Sequence, residues 1–171
     1  DWGVIKQNEP RQYVAHHLSS KLEVDWQLKT QATSKYLCTH NDRRFFQLRP
    51  DLLFSGPNNK FVAADTKWKK LNTEDDSGRN KYGLSQSDFY QLYAYGKKYM
   101  DGYGDMILIF PKYDNFTQPL PVFNYDENLR LWVVPFDLFS KNLILDNLPI
   151  FEFFQYKNKY ISESSYNSGH H

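Results

Sequence analysis

The apolar positions of this chain change period several times, and each change marks an element. Over residues 9–21, Tyr13, Val14 and Leu18 recur at helical spacing. Pro10 suits a first helical turn, where its missing N–H would have had no partner, so the pattern predicts one helix. Residues 22–44 are mixed and polar, with Tyr36, Leu37 and Cys38 as a short strand candidate. Residues 45–54 and 60–67 are rich in Phe, Leu and Val and flank Ser55-Gly56-Pro57-Asn58-Asn59, which predicts a β-hairpin. Residues 71–83 carry Asn72, Asp75, Asp76, Gly78, Asn80 and Gly83, as expected of an exposed loop. Ser85 and Asp88 have the form of a capping pair, and helical intervals run from there to Met100 before Gly102 and Gly104, which predicts a second helix. Residues 106–110, 120–125 and 129–136 read as strands. The apolar, aromatic tail over 143–160 reads as helical in part, with Pro149 interrupting or restarting it. No segment repeats.

The length of 171 residues suits one domain, with a core over about 9–136 and an aromatic-rich helical extension over about 137–161. Hydrophobic residues at 40% and charged ones at 24% predict a folded chain rather than a disordered one. Lys and Arg total 21 against 20 Asp and Glu, so no global field draws a polyanion and any affinity for one must come from local patches. Cys38 is the one cysteine, which excludes disulfide frameworks and cysteine-based zinc sites and favours a reducing, cytoplasmic setting. No apolar run reaches the roughly 18–20 residues of a membrane span and no signal peptide opens the chain, so a soluble protein with no membrane partner is expected. The first residue is Asp1 and the last are Ser168-Gly169-His170-His171, ends that read as a piece of a longer protein with an affinity-tag remnant over 168–171.

Two short segments carry chemistry: Arg49-Pro50-Asp51, within the first predicted hairpin strand, and Asp65-Thr66-Lys67 at the end of the second. Side chains alternate along a strand, so Asp65 and Lys67 share a face while Thr66 points away, and the hairpin would bring Asp51 beside them. Two converging carboxylates repel unless a cation sits between them. Mg²⁺ is the expected cation, with Mn²⁺ as a substitute, held by Asp51, Asp65 and the backbone carbonyl of Ala64. Such a site lowers the pKa of a bound water, and Lys67 would act as base, positioner or electrostatic stabiliser. An Asp and a Lys two apart are ordinarily a solvated pair; the hairpin context and a third element give this pair its weight. That third element is the helix, where Asp88, Gln91 and Tyr95 fall within about 60° of one another at about 100° per residue and form a polar stripe able to face the site.

The segments Leu48-Arg49-Pro50-Asp51, Asp65-Thr66-Lys67-Trp68-Lys69 and Ser85 to Tyr95, in this order and spacing, resemble the McrC nuclease subunit of McrBC-type, 5-methylcytosine-specific restriction systems. The strand ending Ile109-Phe110-Pro111 fits the same likeness, which covers about residues 45–136. The resemblance implies an α/β restriction-endonuclease-like PD-(D/E)xK fold, a central mixed β-sheet flanked by helices, with Gln91 and Tyr95 as the family's Q-x-x-x-Y pair. It implies a catalytic set of Asp51, Asp65, Lys67, Gln91 and Tyr95, double-stranded DNA as substrate, and a McrB-like AAA+ GTPase as partner, engaged through a region outside these residues. Related nucleases often bring a glutamate from the first helix; Glu9, ahead of Pro10, is the one candidate and is not assigned.

Arg43, Arg44, Arg49, Lys69, Lys70, Lys97 and Lys98 could meet phosphates, with Arg49, Lys69 and Lys70 nearest the motif, although most such cations are ordinary solvated charges. Trp68 should pack in the core, and the adjacent His16 and His17 cannot share one helix face as a metal pair. A RecB-like exonuclease or a junction resolvase would use the same carboxylates. A catalytically silent module docking on DNA or a GTPase is the reading the intact Asp, Asp, Lys set argues against.

Overall fold

The computed structural model describes residues 10–146 and 148–154. One mixed sheet of seven strands forms its centre, in the order β1 (Gln27–Lys29), β4 (Leu52–Ser55), β5 (Phe61–Thr66), β6 (Gly104–Pro111), β8 (Leu129–Asp137) and β7 (Phe123–Asn124), with β9 (Asn142–Leu143) also paired to β8. The strands β5, β6 and β8 run parallel; the remaining pairings are antiparallel. Helix α1 (Pro10–Ser19) opens the described chain, and α2 (Gln86–Tyr99) crosses from β5 to β6. The strands β2 (Lys35–His40) and β3 (Arg43–Leu48) form a separate two-stranded sheet.

Alternation along the central strands divides the interior in two. Leu52, Phe54, Val62, Ala64, Ile107 and Ile109 face Val14 and Leu18 of α1. Leu53, Ala63, Met106, Leu108 and Val133 face Leu92, Tyr95 and Tyr99 of α2. Three parallel strands covered on both faces explain why β6 reads as a continuous apolar run rather than an alternating one. Gly96 lets α2 lie close to the sheet: a Cβ there would stand 2.6 Å from Leu129 Cδ2.

The hairpin expected from residues 45–54 and 60–67 is redrawn. Only β4 pairs with β5, Leu52 opposite Ala64 and Ser55 opposite Phe61. Residues 43–48 belong to β3 and pair with β2, so Arg49-Pro50-Asp51 is the crossing between two sheets and not a strand interior. Pro50 supplies the cause, since it has no N–H to give a ladder. Likewise only Phe123–Asn124 of the stretch 120–125 is strand, because Pro119 and Pro121 cannot donate. The tail also departs from expectation. Its described part holds β9 and a 3₁₀ turn, Pro149–Phe151, with Phe151, Phe153 and Phe154 buried against the α1 side, and no α-helix; residues 155–161 lie outside the described residues.

Candidate active site

Asp51 stands immediately before β4, Asp65 is the last residue but one of β5, and Lys67 follows the end of β5. The two acidic residues interlock across the strands. The Asp51 N–H donates to Asp65 Oδ1 at 2.9 Å, while Thr66 donates its N–H at 2.9 Å and its hydroxyl at 3.0 Å to Asp51 Oδ2. Thr66 therefore does not simply point away from the pair, as strict alternation predicted; it ends β5, where the chain is free to turn its hydroxyl to Asp51. The remaining oxygens, Asp51 Oδ1 and Asp65 Oδ2, accept no hydrogen bond from the described residues.

Lys67 closes the third side. Its N–H donates to the Ile109 carbonyl at 2.9 Å, which carries the β5–β6 ladder one residue past the strand and fixes where the side chain starts. Its Nζ lies 3.8 Å from Asp65 Oδ2 and 3.2 Å from Asp88 Oδ1. Asp88 is the residue the motif reading left unassigned. Its place on the helical stripe with Gln91 and Tyr95 was the available signal, but its spacing from Ser85 suggested a capping box. Ser85 is indeed the N-cap of α2, yet its hydroxyl meets Ser87 Oγ at 2.7 Å and makes no cap bond. Asp88 turns to the ammonium instead, because a charge-assisted contact outweighs a neutral N–H.

Electrostatics at this point are strained. Asp65 is 2% exposed, and burial, followed by the charge of Asp51, pushes its carboxyl up to about 7. Burial pulls Lys67 down, but the charges of Asp65 and Asp88, the hydrogen bond to Asp88 and the charge of Asp51 together hold its ammonium above the ordinary value. Tyr95, buried in α2, donates its hydroxyl to the Arg49 carbonyl at 3.0 Å and so pins the peptide just before Pro50-Asp51. Burial, then the charges of Asp65 and Asp51, push its phenol far up, so it remains a neutral donor.

The other expected residues are distributed as follows. Gln91 is half-buried, and its side chain makes no hydrogen bond among the described residues. Ala64 is buried in β5 between Leu52 and Ile107. Arg49 is exposed and bonds Ser34 Oγ and Gln31 Oε1. Lys69 gives its ammonium to the Gly83 carbonyl at 2.7 Å, and Lys70 sits 4.1 Å over the Tyr113 ring. Trp68 is half-buried, and the rings of His16 and His17 meet edge to face with centroids 5.0 Å apart. Glu9 lies outside the described residues.

Among the described residues no group of three or more His, Cys, Asp or Glu side chains could hold a metal ion. Two buried or half-buried carboxylates with one oxygen each to spare remain, a donor set that suits Mg²⁺, which completes its shell with waters and substrate oxygens.

The profile of the McrBC 5-methylcytosine restriction system component family matches residues 11–111, from α1 through the carboxylate pair and α2 to the end of β6. The chain belongs to this family. The McrBC-family match therefore agrees with the resemblance read from the three motifs. The fold is similar to that of a chain in the refined half-complex from a tetradecameric assembly of Thermococcus gammatolerans McrB AAA+ hexamers with bound McrC, at 14% identity and a TM-score of 0.53. That likeness covers 88% of this chain and 31% of the other, so this McrBC-family chain spans about a third of the length of its structural relative. No curated protein matches it.

Proposed function

We propose that this chain is the nuclease part of a McrC-type subunit, with a restriction-endonuclease-like PD-(D/E)xK fold that hydrolyses phosphodiester bonds of double-stranded DNA with Mg²⁺. One observation carries the reading: Asp51 and Asp65 are cross-bonded at adjacent strand ends, each with one oxygen left over, and the Lys67 ammonium stands 3.8 Å from Asp65. Carboxylates held together in a buried place without a cation cost free energy: burial first, then the charge of Asp51, raises the Asp65 carboxyl to about 7.

Asp51 and Asp65 would hold the ion, with the Ala64 carbonyl beside them. When bound there, Mg²⁺ supplies a water of lowered pKa and neutralises charge growing on the phosphoryl oxygens. Lys67, kept protonated by Asp65 and Asp88, orients the attacking water or the scissile phosphate and stabilises negative charge rather than taking a proton. Tyr95 acts through the Arg49 carbonyl by holding Asp51 in place, and Gln91, one turn from it on α2, is the remaining polar group of that face. By this reading the McrB-like AAA+ GTPase that selects and moves modified DNA binds elsewhere on a longer subunit, and the complex works in the cytoplasm. No helix among the described residues is long and apolar enough to cross a membrane.

The test is plasmid cleavage by the purified chain with Mg²⁺ or Mn²⁺, with and without a McrB-like GTPase, alongside Asp51→Ala and Asp65→Ala. Metal-dependent nicking lost in both variants is expected. Cleavage that survives either substitution, or no metal-dependent cleavage in any combination, would refute the proposal.

A further inference from the structure

The strands β2 and β3 stand outside the central sheet, and beyond their base, where Tyr36 and Leu48 are half-buried, the ribbon is uncovered. Every residue from Leu37 to Gln47 is exposed, including Leu37 at 48%, Phe45 at 37% and Phe46 at 69%. A lone two-stranded ribbon is marginal in water, and one that presents three large apolar side chains has a surface to fill. Its tip is tight: Asn41 and Asp42 have φ of 49° and 62°, the two-residue turn whose twist matches the strands. Phe46 itself has φ of 61°, a backbone conformation that an aromatic residue seldom adopts.

While the ribbon is uncovered, its base is clamped. The Tyr99 hydroxyl donates between two carbonyls, Thr33 just ahead of β2 at 2.6 Å and Leu48 at the end of β3 at 3.0 Å. Arg49 bonds Ser34 and Gln31, Gln47 bonds Ser34, and the Lys35 ammonium reaches the Lys98 carbonyl at 2.8 Å. Only Arg49 and Pro50 separate β3 from Asp51, so the arm is fixed to the crossing that carries the carboxylate pair. The charge is local where the whole chain is nearly neutral: Lys35, Arg43 and Arg44 against Asp42 alone over residues 35–48.

Given the nuclease reading on which this rests, we infer that the β2–β3 ribbon is a DNA-engaging arm that lies in a groove of the duplex beside the scissile phosphate, with Arg43 and Arg44 on phosphates and Phe46 against sugars or bases. A two-stranded ribbon has the width of the major groove, and side chains at its margins meet the backbones on either side. An exposed aromatic flanked by arginines suits a polyanion with apolar base faces better than it suits a neutral protein groove.

The test uses the full chain, a short fluorescein-labelled duplex and Ca²⁺ in place of Mg²⁺, read by anisotropy over a salt series. Arg43→Ala/Arg44→Ala should weaken binding at least tenfold and lower the slope of log affinity against log salt by about 2, at about 0.9 per lost phosphate contact. Phe46→Ala should weaken binding about tenfold and leave the slope unchanged, as loss of an apolar contact does. Lys60→Ala, at the opposite end of β5, should alter neither. Ribbon variants that bind like the parent, or a parent that does not bind duplex, overturn the inference; so do variants that change only the mass of the particle in solution, since the ribbon would then be covered by a second copy. Weakened binding in the variants combined with a parent that never cuts supports the arm and sinks the nuclease reading alone.

Discussion

Asp65→Asn offers the sharpest test of the electrostatics. In the cation-free protein the Asp65 carboxyl rises from 3.8 to about 7, chiefly through burial and then through Asp51. At about 1.4 kcal/mol per unit, keeping it ionised costs the fold on the order of 4 kcal/mol at pH 8. The sign follows from the raised value: below about pH 4 the group is neutral folded and unfolded and nothing is lost, and stability falls as pH rises from there towards 7. Asparagine keeps an acceptor for the Asp51 N–H and carries no charge, so Asp65→Asn in EDTA should be more stable than the parent at pH 8 and close to it near pH 4. For a chain of this size each kcal/mol moves Tm by about 2–4 °C, so a gain on the order of 10 °C is the ceiling. Mg²⁺ should raise the parent's Tm at pH 8, do so much less at pH 5.5 where a proton competes, and leave Asp65→Asn unmoved. Differential scanning calorimetry at the two pH values, with and without Mg²⁺, reads all of this. A less stable Asp65→Asn at pH 8 in EDTA, or one that Mg²⁺ still stabilises, refutes the reasoning.

Other perturbations separate the roles around the pair. Lys67→Met should reduce cleavage by on the order of 100-fold while isothermal calorimetry finds Mg²⁺ affinity kept or improved, because the ammonium repels the ion but serves the transition state. Asp88→Asn removes a charge and a hydrogen bond that hold the Lys67 proton, so the alkaline limb of the rate–pH profile should move to lower pH with metal affinity unchanged. Tyr95→Phe leaves the Arg49 carbonyl without its donor and should cost about 1–3 kcal/mol by denaturant melts, with weaker Mg²⁺ binding as Asp51 loosens. Gly96→Ala drives a methyl to 2.6 Å from Leu129 Cδ2 and should cost about 1–3 kcal/mol in the same melts, without touching the site's pH profile.

Much of this arrangement is legible in the residues. The period of α2, the apolar run of β6 and the turn at residues 55–59 all follow from local spacing, and the two-residue step from Asp65 to Lys67 lets the ammonium come back to 3.8 Å from Asp65. What resists reading is set by partners distant in sequence. Residues 45–54 look like one apolar strand until Pro50 breaks the ladder, and nothing local says that the first half pairs backward with β2 while the second pairs forward with β5. Asp88 looks like a cap because the competing ammonium, Lys67, comes from another element. The aromatic tail looks helical from composition, yet Phe151, Phe153 and Phe154 are placed by what they cover on the α1 side of the sheet. Thr66 is the subtlest case, since alternation describes its Cβ and not the reach of its hydroxyl at a strand end.

Diffraction from crystals soaked in Mn²⁺ at pH 8 reads whether Asp51 and Asp65 share one divalent ion. An anomalous difference peak is expected within coordinating distance of Asp51 Oδ1 and Asp65 Oδ2, absent from Asp65→Asn crystals. No peak there, with each carboxylate held only by the amides and hydroxyl of its neighbour strand, would contradict a shared ion.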